Sequence, residues 1–331
     1  MCDWPRYSVE CWFDKEKESK LIVRCRGKCF HITLSPRNFH ESPDILNKYL
    51  HFAEVAEADG DLEGLTIDDF QDWALQPFLP VLRNTEPAWE KSQRVTLYDY
   101  LNPDTFYYSL SASNNVLIPV PRYQVSPRKQ QGVDLDSYIL HSSCPSFHPR
   151  QVEICVDRPE DTYFESAKKV LVGKTICFFK QWSAGDKRSA LRELESYICI
   201  EQLRLGMEVP VPCLFGVVQS EGDSRYQGLL LSWIDCQNMT LECALGPKTP
   251  IDLRQKWVDQ LTVSLDRLHS AGVIWGDVKA ANVLVDRNGD IWMIDFGGGY
   301  TRGWVDKEKA GTIDGDKQGL QKIRDMLLQH A

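Results

Sequence analysis

Three side chains late in the chain, Asp277, Asn282 and Asp295, are of the types that accept a proton or hold a hard metal ion. Asn282 follows Asp277 by 5 positions, and Asp295 follows Asn282 by 13. Between the last two runs VLVDRNGDIWMI, two apolar stretches around Asp286-Arg287-Asn288-Gly289, which reads as a β-hairpin. A hairpin brings its ends together. Asn282 entering the first strand and Asp295 leaving the second can therefore converge on one Mg²⁺ ion, which prefers an amide oxygen and a carboxylate as ligands. Asp277 precedes the first strand, where a carboxylate can take the proton of an attacking hydroxyl. Lys279, two residues on, can point a cation at a transferred phosphoryl group. The chemistry that fits is phosphoryl transfer, which needs positioning and charge neutralisation more than covalent catalysis.

The elements around these residues can be read from periodicity. Before them, Leu253, Trp257, Leu261, Leu265 and Leu268 recur at three- and four-residue steps, which predicts one long amphipathic helix ending at Gly272. Further upstream, QVEICVD and VLVGKTICFF read as strands, the latter a hairpin turning at Gly173-Lys174. RSALRELESYICIEQLRLG reads as a helix terminated by Gly206. PCLFGVVQ and YQGLLLSWID read as two more strands around the polar turn SEGDSR. The first third is separate in character. Residues 7–34 alternate as a three-stranded meander, and a helix is expected from Ser42-Pro43 to about Ala56. A second helix is expected from the capping-box pattern Thr66 to Asp69, interrupted by Pro77 and Pro80. The aromatic run TLYDYLNPDTFYYSL is expected to pack in a core or between domains.

Asp277-Val-Lys279-Ala-Ala-Asn282 followed by Asp295-Phe296-Gly297 resembles the catalytic loop and DFG motif of protein kinases, at both spacings. The resemblance implies an α+β, two-lobed protein-kinase-like fold with a truncated large lobe and an N-terminal α+β extension. On that reading residues 1–125 are a region of unknown role, 126–150 a connector, 151–235 the small lobe and 236–331 the large lobe. It also implies ATP and Mg²⁺ as cofactors, with Asn282 and Asp295 as metal ligands and Asp277 and Lys279 as catalytic residues. Lys180 would contact the nucleotide phosphates and Glu193 would orient it, with Glu195 as the alternative partner. Leu231 would stand at the gatekeeper position, with backbone groups of Ser232, Trp233 and Ile234 facing the adenine. Asp316 resembles the large-lobe aspartate that anchors the catalytic-loop backbone.

The chain departs from that family in four places. No glycine stands between Val156 and Val172, where a Gly-rich phosphate loop is expected. The His-Arg pair before the catalytic aspartate is Trp275-Gly276, so control through an arginine at that place and a phosphorylated loop is not expected. Trp275 is expected to pack beneath the Asp295 loop. Asp295 and Asp316 are only 21 positions apart, a short activation segment containing Gly297-Gly298-Gly299. The chain runs only to Ala331. The pattern WGDVK…NVLVD…IDFGGGYTRGWVD…GTIDGDKQGL resembles a group of kinase-like proteins common in filamentous fungi.

Composition narrows the partners. The 331 residues are 43% hydrophobic and 26% charged, as in ordinary globular proteins, and the net charge of −9 argues against nucleic-acid binding. No apolar run approaches the length of a membrane span, and no signal peptide is evident, so a soluble cytoplasmic protein is expected. The eleven cysteines, with CRGKC the closest pair, are expected to be reduced and mostly buried. The leading function is an ATP/Mg-dependent phosphotransferase directed at Ser/Thr hydroxyls of a protein. The alternatives are a small-molecule kinase of the aminoglycoside or choline type, and a pseudokinase or binding module.

Overall fold

The computed structural model describes residues 5–58, 61–62, 64–90, 93–123, 132–135, 144–163, 168–183, 185–220 and 225–328. The chain divides into two compact units, one of residues 1–128 and 156–166, the other of 129–155 and 167–331.

The first unit is built on a five-stranded sheet, ordered β1-β2-β3-β6-β7. Strands β1 (Tyr7–Phe13), β2 (Ser19–Cys25) and β3 (Lys28–Leu34) form the expected antiparallel meander. β4 (Asp61–Leu62) and β5 (Leu65–Thr66) form a minor hairpin. β6 (Thr105–Ser113) lies parallel to β3, and β7 (Val116–Pro121) closes the edge. One sheet face is apolar at every second residue, and Leu21, Val23, Phe30, Ile32 and Leu110 are buried there. Helices α1 (Pro43–Glu57) and α2 (Ile67–Leu75) cover it with Tyr49, Phe52 and Phe70. Thr66 and Asp69 form the reciprocal capping box that starts α2. Ser42 does not cap α1 with its side chain; its buried hydroxyl accepts from the Asn115 N–H instead. Pro77 and Pro80 break the next stretch, leaving α3 as Leu79–Asn84. The aromatic run becomes α4 (Leu97–Leu101) and strand β6.

The second unit has the small-lobe and large-lobe parts of a kinase-like fold. Its main sheet orders β10 (Val152–Ile154), β11 (Lys168–Val172), β12 (Thr175–Gln181), β14 (Arg225–Ser232) and β13 (Leu214–Gln219). From the stretch expected to be a connector, β8 (Val133–Asp134) pairs with β14 and β9 (Ser146–Phe147) with β13. Positions 126–131 and 136–143 of that stretch lie outside the described residues, as does most of the SEGDSR turn. Helix α5 (Lys187–Gln202) follows β12. It stops four residues before Gly206, because Arg204 takes a left-handed conformation at φ 54° and turns the chain first. The large-lobe part holds α6 (Leu241–Ala244), α7 (Ile251–Ser270), the hairpin β15 (Val283–Val285) and β16 (Ile291–Met293), and α8 (Ile313–Leu328). The apolar stripe of α7 buries Trp257, Leu261, Leu265 and Leu268 in one core with Val283, Ile291, Met293 and Ile323.

The loop joining β10 to β11 folds with the first unit. Thr162 is fully buried and Tyr163 nearly so. The Tyr163 ring stacks on Trp89 and Tyr100 at 5.8 and 5.2 Å, with the Arg24 guanidinium 5.0 Å from its centroid. Asp161 accepts from Arg6 and Arg158 at 3.0 and 2.9 Å. A glycine-rich loop could not make these contacts, so the lack of glycine here has a structural cause. Positions 164–167 of that loop lie outside the described residues.

The described cysteines are all free thiols, with Cys25, Cys29, Cys177 and Cys236 buried and Cys213 and Cys243 exposed. No helix among the described residues is long and apolar enough to cross a membrane.

Candidate active site

Lys180 sits on β12, paired across to Leu229 of β14. Its ammonium donates to Glu193 Oε1 at 2.7 Å and to Asp295 Oδ1 at 2.8 Å. Burial alone would lower its pKa, but the two carboxylates outweigh that and hold it above the ordinary lysine value. Glu193 is on the buried face of α5, whereas Glu195 points to solvent, which resolves the two candidate partners. Burial pushes the Glu193 carboxyl up, opposed by Lys180 and by the Phe296 N–H.

The expected hairpin forms. Val283 pairs with Met293, and the Ile294 N–H donates to the Asn282 carbonyl at 3.1 Å, so Asn282 and Asp295 leave the same end. Asn282 Nδ2 donates to the Asp277 carbonyl and to Asp277 Oδ2, at 2.9 and 3.0 Å. Its amide oxygen is thereby turned away from Asp277. Asp295 is held at φ 65°, a left-handed conformation that costs a non-glycine residue energy and marks a constrained site.

Asp277 is almost buried. Its Oδ2 accepts from Lys279 Nζ at 2.7 Å and its Oδ1 from Thr301 Oγ1 at 3.1 Å. Lys279 also donates to Thr301 Oγ1 at 3.0 Å. Sequence reasoning missed Thr301. Its only signal was a hydroxyl residue two positions after the glycine run, and nothing in spacing alone distinguishes it from a solvated threonine.

The backbone of this loop is fixed from α8. Asp316, 1% exposed, accepts the N–H groups of Trp275 and Gly276, both at 2.8 Å, and lies 2.9 Å from His269 Nε2. Trp275 Nε1 donates to the Ile294 carbonyl at 2.8 Å. Its ring lies 6.5 Å from that of Phe296, which meets Tyr197 of α5 edge-on at 5.4 Å. This aromatic column spans from the loop at 275–282 to α5 beneath Asp295.

At the strand that was expected to face adenine, Leu231 is buried and Ser232 exchanges two hydrogen bonds with the Cys213 backbone, both 2.9 Å. Lys169 lies 5.0 Å from the Trp233 ring centroid, and the Ile234 carbonyl accepts from Cys236. An apolar cavity of about 570 Å³ lies elsewhere, between the α6–α7 loop and the hairpin, and contains none of these residues.

The second unit has a kinase-like fold, and these side chains meet at one place in it. In agreement, the model of the family described as "Lipopolysaccharide kinase (Kdo/WaaP) family" matches residues 179–314, which begin on β12 and end in α8. Similarity to individual proteins is short. Serine/threonine-protein kinase PKH3 of Eremothecium gossypii is 47% identical over 58 residues, 18% of this chain and 7% of that protein. A probable serine/threonine-protein kinase of Dictyostelium discoideum is 42% identical over 84 residues, 25% of this chain and 18% of that protein. Ribosomal protein S6 kinase alpha-3 of Homo sapiens is 40% identical over 63 residues, 18% of this chain and 8% of that protein. The chain thus spans less than a fifth of the length of these relatives.

Proposed function

We propose that this protein transfers a phosphoryl group from Mg·ATP to an alcohol hydroxyl, and that the acceptor is a serine or threonine. The observation that carries the first part is the Lys180 ammonium shared between Glu193 and Asp295 at 2.7 and 2.8 Å. A lysine held this way presents a fixed cation to phosphate oxygens, and the carboxylate beside it suits a hard metal. Asn282 and Asp295 fit Mg²⁺, since the amide nitrogen of Asn282 is committed to Asp277 and its oxygen is left for the metal. No group of three or more His, Cys, Asp or Glu forms a metal cage among the described residues. Bound at Asn282 and Asp295, Mg²⁺ supplies charge neutralisation at the phosphates.

Asp277 is the candidate base. With Lys279 and Thr301 fixing its two oxygens, it can accept the acceptor hydroxyl's proton, while Lys279 offsets negative charge on the transferred group. The Asp277–Lys279–Thr301 triangle supports the Ser/Thr-directed reading, as do the short matches to proteins named as serine/threonine kinases. A small-molecule hydroxyl is the second reading. It is favoured by the match to a family named for lipopolysaccharide kinases and by the short stretch from Asp295 to Asp316.

The test is release of product from Mg·ATP with peptide and sugar acceptors, wild type against Asp277→Asn. Acceptor-dependent turnover abolished by Asp277→Asn is expected. Equal rates in both proteins, or none with any acceptor, would contradict the proposal.

A further inference from the structure

Gly276 occupies the place where the resemblance implied an arginine, and the space beside it is filled from another element. A Cβ built on Gly276 would lie 2.9 Å from Cζ of Arg192 and closer still to Nη2. The same holds at two other glycines. A Cβ on Gly298 would lie 2.9 Å from Arg192 Cζ, and one on Gly311 would lie 2.8 Å from Arg192 Nη1. All three have left-handed backbones, at φ +90°, +72° and +72°. They belong to three separate segments: the catalytic loop, the run after Asp295-Phe296, and the lead into α8. The guanidinium of half-buried Arg192 therefore lies against all three.

Arg192 is next to Glu193 and three residues after Ser189, so all three lie on one side of α5. Ser189 Oγ donates to the Gly297 carbonyl at 3.1 Å, and Glu193 receives the Phe296 N–H. The helix thus holds residues 296, 297 and 298 by three neighbouring side chains. Gly299 follows against the Asp277 carboxyl, where an added Cβ would sit 3.5 Å from Cγ.

We infer that Arg192 is a positioning residue of the phosphotransfer site, delivering from α5 the cation that position 276 lacks, and clamping the catalytic loop and the glycine segment to the helix that carries Glu193. Its role in turnover rests on the function proposed above; the clamp itself does not. The planar guanidinium fits between three closely approaching backbones, and a lysine ammonium on a flexible stem does not replace it. Formation of the Lys180–Glu193 pair and seating of the segment beside Asp277 then become one event.

The experiment uses the full chain with Arg192→Ala, Arg192→Lys and Gly298→Ala, singly, and Gly298→Ala combined with Arg192→Ala. Two readouts are taken: amide hydrogen exchange, and kcat and KM for ATP. Both Arg192 variants are expected to speed exchange in 296–301 and 311–312 by about tenfold, with the α7 amides unchanged. kcat is expected to fall roughly 10- to 100-fold with KM for ATP nearly constant, as for a lost positioning contact. Gly298→Ala displaces the guanidinium and is expected to reproduce these effects in the wild type; with Arg192 gone its effect is expected to shrink to the strain of an alanine at φ +72°. Unchanged exchange in those segments overturns the inference, whatever the activity. So does exchange that rises uniformly across the unit, or full rescue by lysine. A wild type without turnover would refute the proposed function and leave the exchange result to judge the clamp.

Discussion

The two units bury their polar groups to different ends. In the first, the interior is a cluster of rings, Phe13, Phe39, Tyr49, Phe52, Phe70 and Trp73, and its buried hydroxyl at Tyr49 is spent on the Lys17 carbonyl and Ser19. In the second, buried or nearly buried Glu193, Asp277, Asn282 and Asp316 all converge on two loops and one helix. Buried charge costs stability unless it is paired, and here each charge is paired with a group of the same site. The contrast teaches that the first unit is assembled for packing, while the second spends stability on geometry.

The sharpest way to break that contrast is Asp277→Asn. It is expected to lower turnover by about 10²–10⁴-fold, the range for a lost acid–base group, with little change in melting temperature. A large loss of stability would show that Asp277 is structural. The converse change is Phe70→Ala, in a fully buried ring of the first unit. It is expected to destabilise that unit by about 3–5 kcal/mol, measured by denaturant unfolding with a fluorescence probe, while Mg·ATP binding at low temperature persists. Thr301→Val removes one hydroxyl from Asp277 and Lys279 and is expected to cost roughly tenfold in kcat, with Thr301→Ser retaining most of it. The smallest effect is expected at His31, whose pKa is pulled down to about 4 by burial, then by Lys20 and Arg24. A histidine lowered on folding is protonated first in the unfolded chain. Stability present above pH 6.5 is therefore lost as the pH falls from 6.5 towards 4. A pH series of melting temperatures should show this slope in wild type and a flatter one in His31→Phe.

What could be read from the sequence was local. The hairpin between Asn282 and Asp295, the α7 stripe and the Thr66 capping box each depend on residues close in the chain, and the structure has all three. Long-range pairings were not legible. Nothing in TFYYSLSAS says that it runs parallel to β3. The turn at Arg204 was assigned to Gly206 because glycine is the usual left-handed residue, and here an arginine adopts that conformation first. The docking of Tyr163 under Arg24 and the seating of Arg192 among three glycines join segments far apart in sequence. The departures from the kinase pattern at Gly276 and in 156–163 were visible as missing residues, but what replaces them was visible only in three dimensions.

The central claim is that Lys180, Glu193 and Asp295 form a Mg·ATP phosphate site. Calorimetric titration of Mg·ATP into wild type, Lys180→Ala and Asp295→Ala tests it most directly. Binding by wild type that is weakened at least about tenfold in both variants, with the Asp295→Ala loss also seen as lost Mg²⁺ dependence, is the expected result. No heat with wild type, or equal affinity in all three proteins, would contradict it.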